Sequence, residues 1–412
     1  MNRGDMIAAT MESAYGRPRP SHHATLTDVG PGTPMGEVFR RYWHPVGLAA
    51  ELSETPTAVR VLGEDLVLFR DGRGRPGLLD AHCCHRGTSL EYGRVEHEGV
   101  RCCYHGWLFD VDGRCLDMPC EPADSRYKEK VRQPWYPCRD YGGLVFAYMG
   151  PLAKMPVFPR YDIVEHGDGV VVPDGTSYGL GGGLVLDCNW LQIYENVMDP
   201  FHVAVLHTAF SGGQFSAALG ARPDVTWDDT PHGVSSTQVR ELPDGRIFRR
   251  VTEIVAPNIR IVPSVGAGET DGFERASHIG WILPIDDTHT RMYSLLRVPV
   301  LDGNPVMPPR ARHRGKLWAE LTEDEHRRMP GDKEAIVSQG GIAIHANEHL
   351  ASSDRGVIMT RRMLTRAVDA VTRGEDPPGI VRDPARDLVS TRAGNAIDAM
   401  PRAAAASRAE RS

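Results

Sequence analysis

No stretch of this chain approaches the eighteen or so consecutive apolar residues that span a membrane. Its first residues, "MNRGDMIAATMESAYGRPRPSHH", also lack the apolar centre of a secretory signal. Neither membrane insertion nor export is expected, and the expected location is the cytoplasm. Positive charge is scarce too. The 47 Lys and Arg stand against 54 Asp and Glu, a formal charge of −7, and no Lys/Arg run or RNA-binding signature is present to hold a phosphate backbone. Nucleic acid is therefore not an expected partner. A flavin or nicotinamide fingerprint is missing as well, because the Gly-rich "DGRGRPG" reads as a turn between strands and not as the opening of a helix. There is no internal repeat.

What is present is enough for a globular protein of two domains. The chain has 412 residues, of which 41% are apolar and 25% charged, a balance that supports a buried core. Eight cysteines in a chain without an export signal point to metal ligands or buried thiols, not disulfides. "VRVLGEDLVLFRDGRGRPGLLDAHC" reads as strand, turn and strand, and "GGLVFAYMG" (142–150) as another strand. The three prolines of "PLAKMPVFPRYD" suggest a domain connector. From there to about residue 300 the pattern is strand-rich, with "PIDDTHT" as a hairpin loop. Past 308 it turns helical, in "RARHRGKLWAELTEDEHRRM", "DKEAIVSQGGIAIHANEHL" and "DRGVIMTRRMLTRAVDAVTRG". The tail "NAIDAMPRAAAASRAERS" is small and polar and is expected to lack fixed structure. The expected division is an N-terminal segment 1–41, a β domain 42–151, an α+β domain 152–392 and a tail 393–412.

Four of the cysteines fall in "AHCCHRGTSLEYGRVEHEGVRCCYHGWLFD", residues 81–110. Cys83 and His85 form C-x-H, and Cys102 and His105 form C-x-x-H, each on a short loop flanked by strand-like sequence. Two thiolates and two imidazoles suit either tetrahedral zinc or a 2Fe–2S cluster with Cys on one iron and His on the other. Cys84, Cys103, Cys115, Cys120, Cys138 and Cys188 read as buried thiols.

A second constellation lies in "CNWLQIYENVMDPFHVAVLH" (188–207), where Glu195, Asp199, His202 and His207 read E-x-x-x-D-x-x-H-x-x-x-x-H. Two histidines and a carboxylate on one face of an iron leave positions free for dioxygen and substrate. On a regular helix, however, residues five apart lie roughly 140° apart. His202 and His207 can share a metal only where the helix ends or bulges. "HANEH" (345–349) also spells the H-x-x-E-H pattern of some zinc proteases, but few glutamates follow Glu348 to complete such a site.

The surroundings of both constellations resemble the Rieske non-haem iron oxygenases. "CCHRGTSL…GVRCCYHGWLFDVDGRCLDMP" is similar to their Rieske domain, and "NWLQIYENVMDPFHVAVLH" to their iron-binding segment, in the family's order. Cysteine at position 84, where the family more often has proline, is a departure. "GGLVFAYMGP" and "EHLASSD" resemble the phthalate dioxygenase-like branch. The resemblance implies an all-β Rieske domain followed by an α+β catalytic domain with an antiparallel sheet flanked by helices. It implies a 2Fe–2S cluster on Cys83, His85, Cys102 and His105, and mononuclear Fe(II) on His202, His207 and a later carboxylate. "GDKEAIVSQGG" offers Asp332 for that carboxylate, with Glu334 and Asp324 behind it; read plainly, Asp332 would be a helix N-cap. Asp199 would bridge to a Rieske histidine of a neighbouring subunit. His345 departs from the family pattern. The implied activity is that of a terminal oxygenase, a mono- or dioxygenase that hydroxylates or demethylates a small aromatic compound with O2. It would work as a homotrimer and draw electrons from a separate NAD(P)H-dependent reductase, with or without a ferredoxin. The alternative is a Rieske electron-transfer protein without catalytic iron.

Overall fold

The computed structural model describes residues 21–174, 185–211, 215–265, 272–308 and 314–398. Three small antiparallel sheets build the first part. Strands Trp43–Leu48, Leu144–Tyr148 and Cys138–Tyr141 form one, with Trp43 opposite Tyr148. Strands Thr57–Val61, Glu64–Arg70, Pro76–Asp80 and Trp135–Tyr136 form the second. Between the first two of these the chain turns through Leu62 and Gly63, both at positive φ (50° and 80°), as a two-residue hairpin turn of matching twist requires. The predicted "DGRGRPG" turn is present, and Asp71 Oδ1 accepts from the amides of Arg73 (3.0 Å) and Arg75 (2.8 Å). Strands Arg94–Glu96, Gly99–Arg101, Leu108–Phe109 and Cys115–Asp117 form the third sheet.

The second part is a ten-stranded sheet with helices, so the fold is α+β. Its central strands are Gly233–Glu241, Ile247–Val255, Ile259–Ile261, His278–Pro284 and Thr290–Val298. The "PIDDTHT" loop joins the last two, Pro284 pairing with Thr290. One face meets the first part of the chain, where Trp281 packs edge-on against Phe146 (5.3 Å between centroids), with Tyr161 from just past the connector against its ring at 5.6 Å. A single buried cluster runs through both parts, from Leu26 and Phe39 through Phe146 to Trp281. The other face meets the helices. Trp227 projects from it, donates to Met198 O (3.2 Å) and lies against Gly356 of helix Arg355–Thr372.

Several expectations need correction. The tail does not lose structure at 393: Gly394–Asp398 is a strand paired with Ile247–Val251 and Gly272–Arg275. Its alternation explains this, because Asn395 and Ile397 point inward and are buried; residues from 399 onward lie outside the described residues. Among the described residues of "RARHRGKLWAELTEDEHRRM" the α-helix is Glu323–Arg328, begun by a Thr322/Glu325 capping box and preceded by a 3-10 turn at Trp318–Glu320. In "DKEAIVSQGGIAIHANEHL" it stops at Val337, ahead of Gly340 at φ 99°. Cys84, Cys103 and Cys120 are exposed, not buried, because they sit on loop surfaces; Cys115 and Cys188 are buried. The N-terminal segment is also better anchored than its composition suggests, with Leu26, Val29, Met35, Val38 and Phe39 buried in the common core.

Candidate metal centres

Two loops carry the first set of donors, and they have the same backbone turn. Gly87 N donates to Cys83 O (2.8 Å) and Cys83 N to Thr88 O (2.9 Å). In the second loop Gly106 N donates to Cys102 O (3.1 Å) and Cys102 N to Trp107 O (2.9 Å). Both glycines have positive φ, 78° and 75°, a conformation that strains a residue with a Cβ. The histidine sits at the third residue of one turn and the fourth of the other. Cys83 and Cys102 are buried and their thiols touch. The rings of His85 and His105 meet edge-on at 4.4 Å, half-exposed, with Trp107 stacked on His85 at 4.3 Å. Thiols thus pair with thiols and imidazoles with imidazoles, as a cluster with one sulfur-bound and one nitrogen-bound iron requires. A single zinc would draw all four donors together. The compact donor groups among the described residues, those within 4.8 Å of one another, do not include this set.

Burial, with Cys102 nearby, pushes the Cys83 thiol up to about 12, so it gives up its proton only to a cation such as iron. Gln133, which the sequence reading missed, is fully buried and fastens the first loop. Its Nε2 donates to Asp80 O (3.0 Å) and His82 O (2.8 Å), and its Oε1 accepts from Cys84 N (2.8 Å). It lies some fifty residues beyond that loop, and no local pattern marks it.

The second set resolves the helix problem. The chain runs as α-helix through Trp190–Asn196, is broken near Asp199-Pro200, and resumes with a π-helix over Val203–Phe210. Ser211 N donates to Leu206 O at 2.7 Å, a bond spanning five residues. In this wider winding residues five apart stack on one face, so His202 and His207 point the same way. Their Nε2 atoms lie 3.5 and 3.1 Å from Asp332 Oδ1. Asp332 opens helix Asp332–Val337, whose N-cap is Gly331, so the N-cap reading of Asp332 does not hold. Glu334 is engaged elsewhere, by Gly331 N (2.8 Å), Trp318 Nε1 (2.5 Å) and His326 Nδ1 (2.9 Å). Asp324 is exposed and pairs with Arg328 at 3.0 Å. Asp199 Oδ1 accepts from Phe201 N (3.0 Å), and its Oδ2 lies 3.5 Å from His202 Nδ1.

Electrostatics at this site fits a cation. Burial opposes ionisation of both His202 and Asp332, yet their mutual attraction prevails. The carboxylates of Asp199 and Asp332 push the His202 imidazole up to about 10, and the two imidazoles hold Asp332 well below the usual carboxylate range. Two nitrogens and one carboxylate oxygen converging in a buried spot are the donor set of a mononuclear ferrous centre with open positions. Two residues absent from the sequence reading complete it. Asn196 Nδ2 lies 3.5 Å from Asp332 Oδ1 and 3.4 Å from His202 Nε2. Gln192 ties the helices together, donating to Ile336 O (3.0 Å) and Gly340 O (3.1 Å) and accepting from Ala343 N (3.0 Å).

The H-x-x-E-H pattern makes no protease site. His345–Asn347 is a single 3-10 turn and His349 is exposed. Glu195, His345 and Glu348 do come within 4.8 Å of one another. A guanidinium already occupies the two carboxylates: Arg361 is 2.5 Å from Glu195 and 2.5 Å from Glu348.

Comparison with known proteins agrees with this geometry. Residues 42–137 match the Rieske [2Fe-2S] domain, and residues 186–370 match the vanillate O-demethylase oxygenase C-terminal domain. Phenoxybenzoate dioxygenase subunit alpha of Ectopseudomonas oleovorans is 46% identical over 93% of this chain and 93% of its own. The tert-butanol monooxygenase / tert-amyl alcohol desaturase oxygenase subunit of Aquincola tertiaricarbonis is 40% identical over 92% of this chain and 84% of its own. The solved structure of the Pseudomonas putida CBB5 NdmA QL mutant with caffeine shares the fold, with a TM-score of 0.60 at 20% identity over 83% of this chain and 94% of that one. Such relatives are oxygenase components that work with reductase partners, and the cofactors of the fold are a 2Fe–2S cluster and mononuclear iron. The chain belongs to the Rieske non-haem iron oxygenases, as an oxygenase (alpha) subunit of the phthalate dioxygenase-like branch.

Proposed function

We propose that Cys83, His85, Cys102 and His105 hold the 2Fe–2S cluster and that His202, His207 and Asp332 hold the catalytic iron of an oxygenase acting on a small aromatic compound. The observation that carries this reading is the convergence of His202 Nε2 and His207 Nε2 on one oxygen of Asp332. It also speaks against a pure electron carrier, which has no use for such a site. When bound, the cluster supplies electrons and the ferrous iron supplies dioxygen activation next to the substrate.

The chain's own residues do the rest. Trp107 and Gln133 fix the first loop, so that the half-exposed edges of His85 and His105 face outward. Asp199 keeps one oxygen on the Phe201 amide and the other beside His202 Nδ1. It thereby orients the imidazole and favours the tautomer that leaves Nε2 free for metal. About a third of the Asp199 side chain stays accessible, where it would accept a hydrogen bond from His105 of a neighbouring copy. A site completed between copies calls for a closed ring, and the reading is a homotrimer.

In this reading residues 42–151 form the cluster domain and 152–392 the catalytic domain. The electron donor is an NAD(P)H-dependent reductase, directly or through a ferredoxin. The location is the cytoplasm, which suits a chain whose eight cysteines form no disulfide with one another. The names of the two relatives divide on substrate, one being an aromatic carboxylate and the other a small neutral alcohol. The aromatic reading follows the higher identity.

Iron and acid-labile sulfide on anaerobically purified protein test the assignment. About three irons and two sulfides per chain are expected, falling to about two irons with unchanged sulfide in His207→Ala. Two irons in the unaltered protein, with added ferrous ion neither bound nor restoring substrate-dependent oxygen uptake, would leave an electron carrier.

A further inference from the structure

Glu334 stands two residues beyond Asp332, where the sequence offers it as a second candidate for the iron carboxylate. The donor group formed with His202 and His207 takes Asp332 and leaves Glu334 out. The way Asp332 is held gives Glu334 a different task.

Among the described residues, the side chain of Asp332 has three neighbours at hydrogen-bond range. Two are the imidazoles that would share its metal, and the third is Asn196 Nδ2 at a long 3.5 Å. Little around the carboxylate aims it from outside, so its direction is set by the backbone from which it springs. That backbone is poorly fixed by its own sequence. Pro330 has no N–H to donate, and Gly331, the N-cap, has no side chain with which to cap the helix. Helix Asp332–Val337 has only six residues, a length at which a helix is not stable by itself.

Two side chains supply the missing bonds. Ser211, fully buried, donates from its Oγ to Pro330 O (2.6 Å) and from its N to Leu206 O (2.7 Å). It thereby joins the end of the π-helix to the peptide ahead of the ligand. Glu334 does the rest. Its Oε2 accepts from Gly331 N (2.8 Å), the returning arm of a capping box.

Glu334 is itself aimed. Its Oε1 accepts from Trp318 Nε1 (2.5 Å) and lies 2.9 Å from His326 Nδ1. Trp318 in turn is held by the His326 ring at 4.5 Å and by Lys333 Nζ, 3.7 Å from the centre of its own ring, a cation–π contact. Both oxygens of Glu334 are committed, so a flexible side chain keeps one conformation, as a residue that supports a site must. Three consecutive residues divide the labour: Asp332 faces the imidazoles, Lys333 covers Trp318, and Glu334 turns back on Gly331.

We propose that Glu334 is a positioning residue for the mononuclear iron. Held by Trp318 and holding Gly331 N, it sets the direction in which Asp332 leaves the chain, and with it how tightly ferrous ion is kept. The inference rests on the reading of the iron site given above.

Ferrous ion, titrated anaerobically into protein whose cluster is intact and whose mononuclear site has been emptied by a chelator, tests it. Glu334→Ala should raise the dissociation constant of the ion about tenfold, the lower end of the range for groups that support a ligand, with sulfide content and cluster absorbance unchanged. Glu334→Gln keeps an oxygen for Gly331 N and should recover most of the loss, which a general weakening of the fold would not predict. Trp318→Phe removes the donor that aims Glu334 and should weaken binding less than Glu334→Ala does. Ferrous binding by Glu334→Ala as tight as in the natural protein, or by Glu334→Gln as weak as by Glu334→Ala, would overturn the inference. Should Glu334→Ala not fold, Trp318→Phe decides, and an unchanged affinity there overturns it. The unaltered protein separates the two failures. Tight ferrous binding that the variants share sinks this inference alone, whereas no ferrous binding by the unaltered protein sinks the functional reading.

Discussion

His202 and His207 present their Nε2 atoms to the same oxygen of Asp332, at 3.5 and 3.1 Å, although five residues separate them in the chain. The π-helix over Val203–Phe210 makes this possible, because its bonds reach one residue further than those of an α-helix.

Deleting Ala204 should let that segment relax into an α-helix of ordinary pitch and turn His207 away from Asp332. The expected result is loss of the mononuclear iron with the cluster absorbance intact, read by metal analysis and the visible spectrum. Retention of a third iron per chain would show that the winding is not what aligns the ligands.

Asp199→Asn keeps an oxygen for the Phe201 amide but removes the charge beside His202. Both metals should stay bound, and a reductase should still reduce the cluster. Product formation should fall by about 10- to 100-fold, the leverage usual for a group hydrogen-bonded to a ligand. Stopped-flow traces of cluster re-oxidation with substrate and oxygen are the measurement, and unchanged traces would remove Asp199 from the bridging role.

Gly356→Ala puts helix propensity and packing in opposition. Alanine in a helix is worth about 1 kcal/mol over glycine. Here a Cβ would lie 2.2 Å from Met198 O and 2.4 Å from Trp227 Nε1, neither of which is a flexible chain end. A net loss of about 1–3 kcal/mol is expected, visible as a lower melting temperature, and Met198 adjoins Asp199, so turnover should fall too.

His44 supplies a pH dependence of stability. It is fully buried on strand Trp43–Leu48, its Nε2 bonds to Phe39 O (2.8 Å), and burial lowers it to about 4. Unfolded, it titrates near 6.5, so between pH 6.5 and 4 the unfolded chain holds the extra proton. The stabilisation from keeping His44 neutral is whole above pH 6.5 and lost as pH falls toward 4, on the order of 3 kcal/mol in total. Urea midpoints at pH 7.5 and 5.5 should differ less in His44→Gln than in the natural protein.

The metal sets were the most legible part of the sequence, because ligand chemistry demands particular residue types at short spacings. The structure brings Cys83 beside Cys102 and His85 beside His105, and gathers His202, His207 and Asp332 with Asp199 alongside, the two groups proposed above as metal centres. Strands with clear alternation were legible for the same kind of reason. What escaped notice acts over long range or through backbone alone. Gln133 and Gln192 bridge segments 49 to 151 residues away, and neither sits in a pattern that marks it. The π-helix has no composition of its own; only the demand that two histidines share a metal hinted at a break. The polar tail was misjudged at 394–398, where two inward residues, Asn395 and Ile397, mark a strand that pairs on both sides.

Trp281 stands on the catalytic sheet but packs against Phe146 of the cluster-bearing part. The protein therefore cannot be treated as two interchangeable cassettes. A chimera that joins this cluster unit to another relative's catalytic half would bring foreign side chains against Phe146 and its neighbours. Such a hybrid should fold only if the donor supplies a ring of matching shape at the position of Trp281. The same seam predicts one cooperative calorimetric transition for the holoprotein, in which neither half survives the melting of the other.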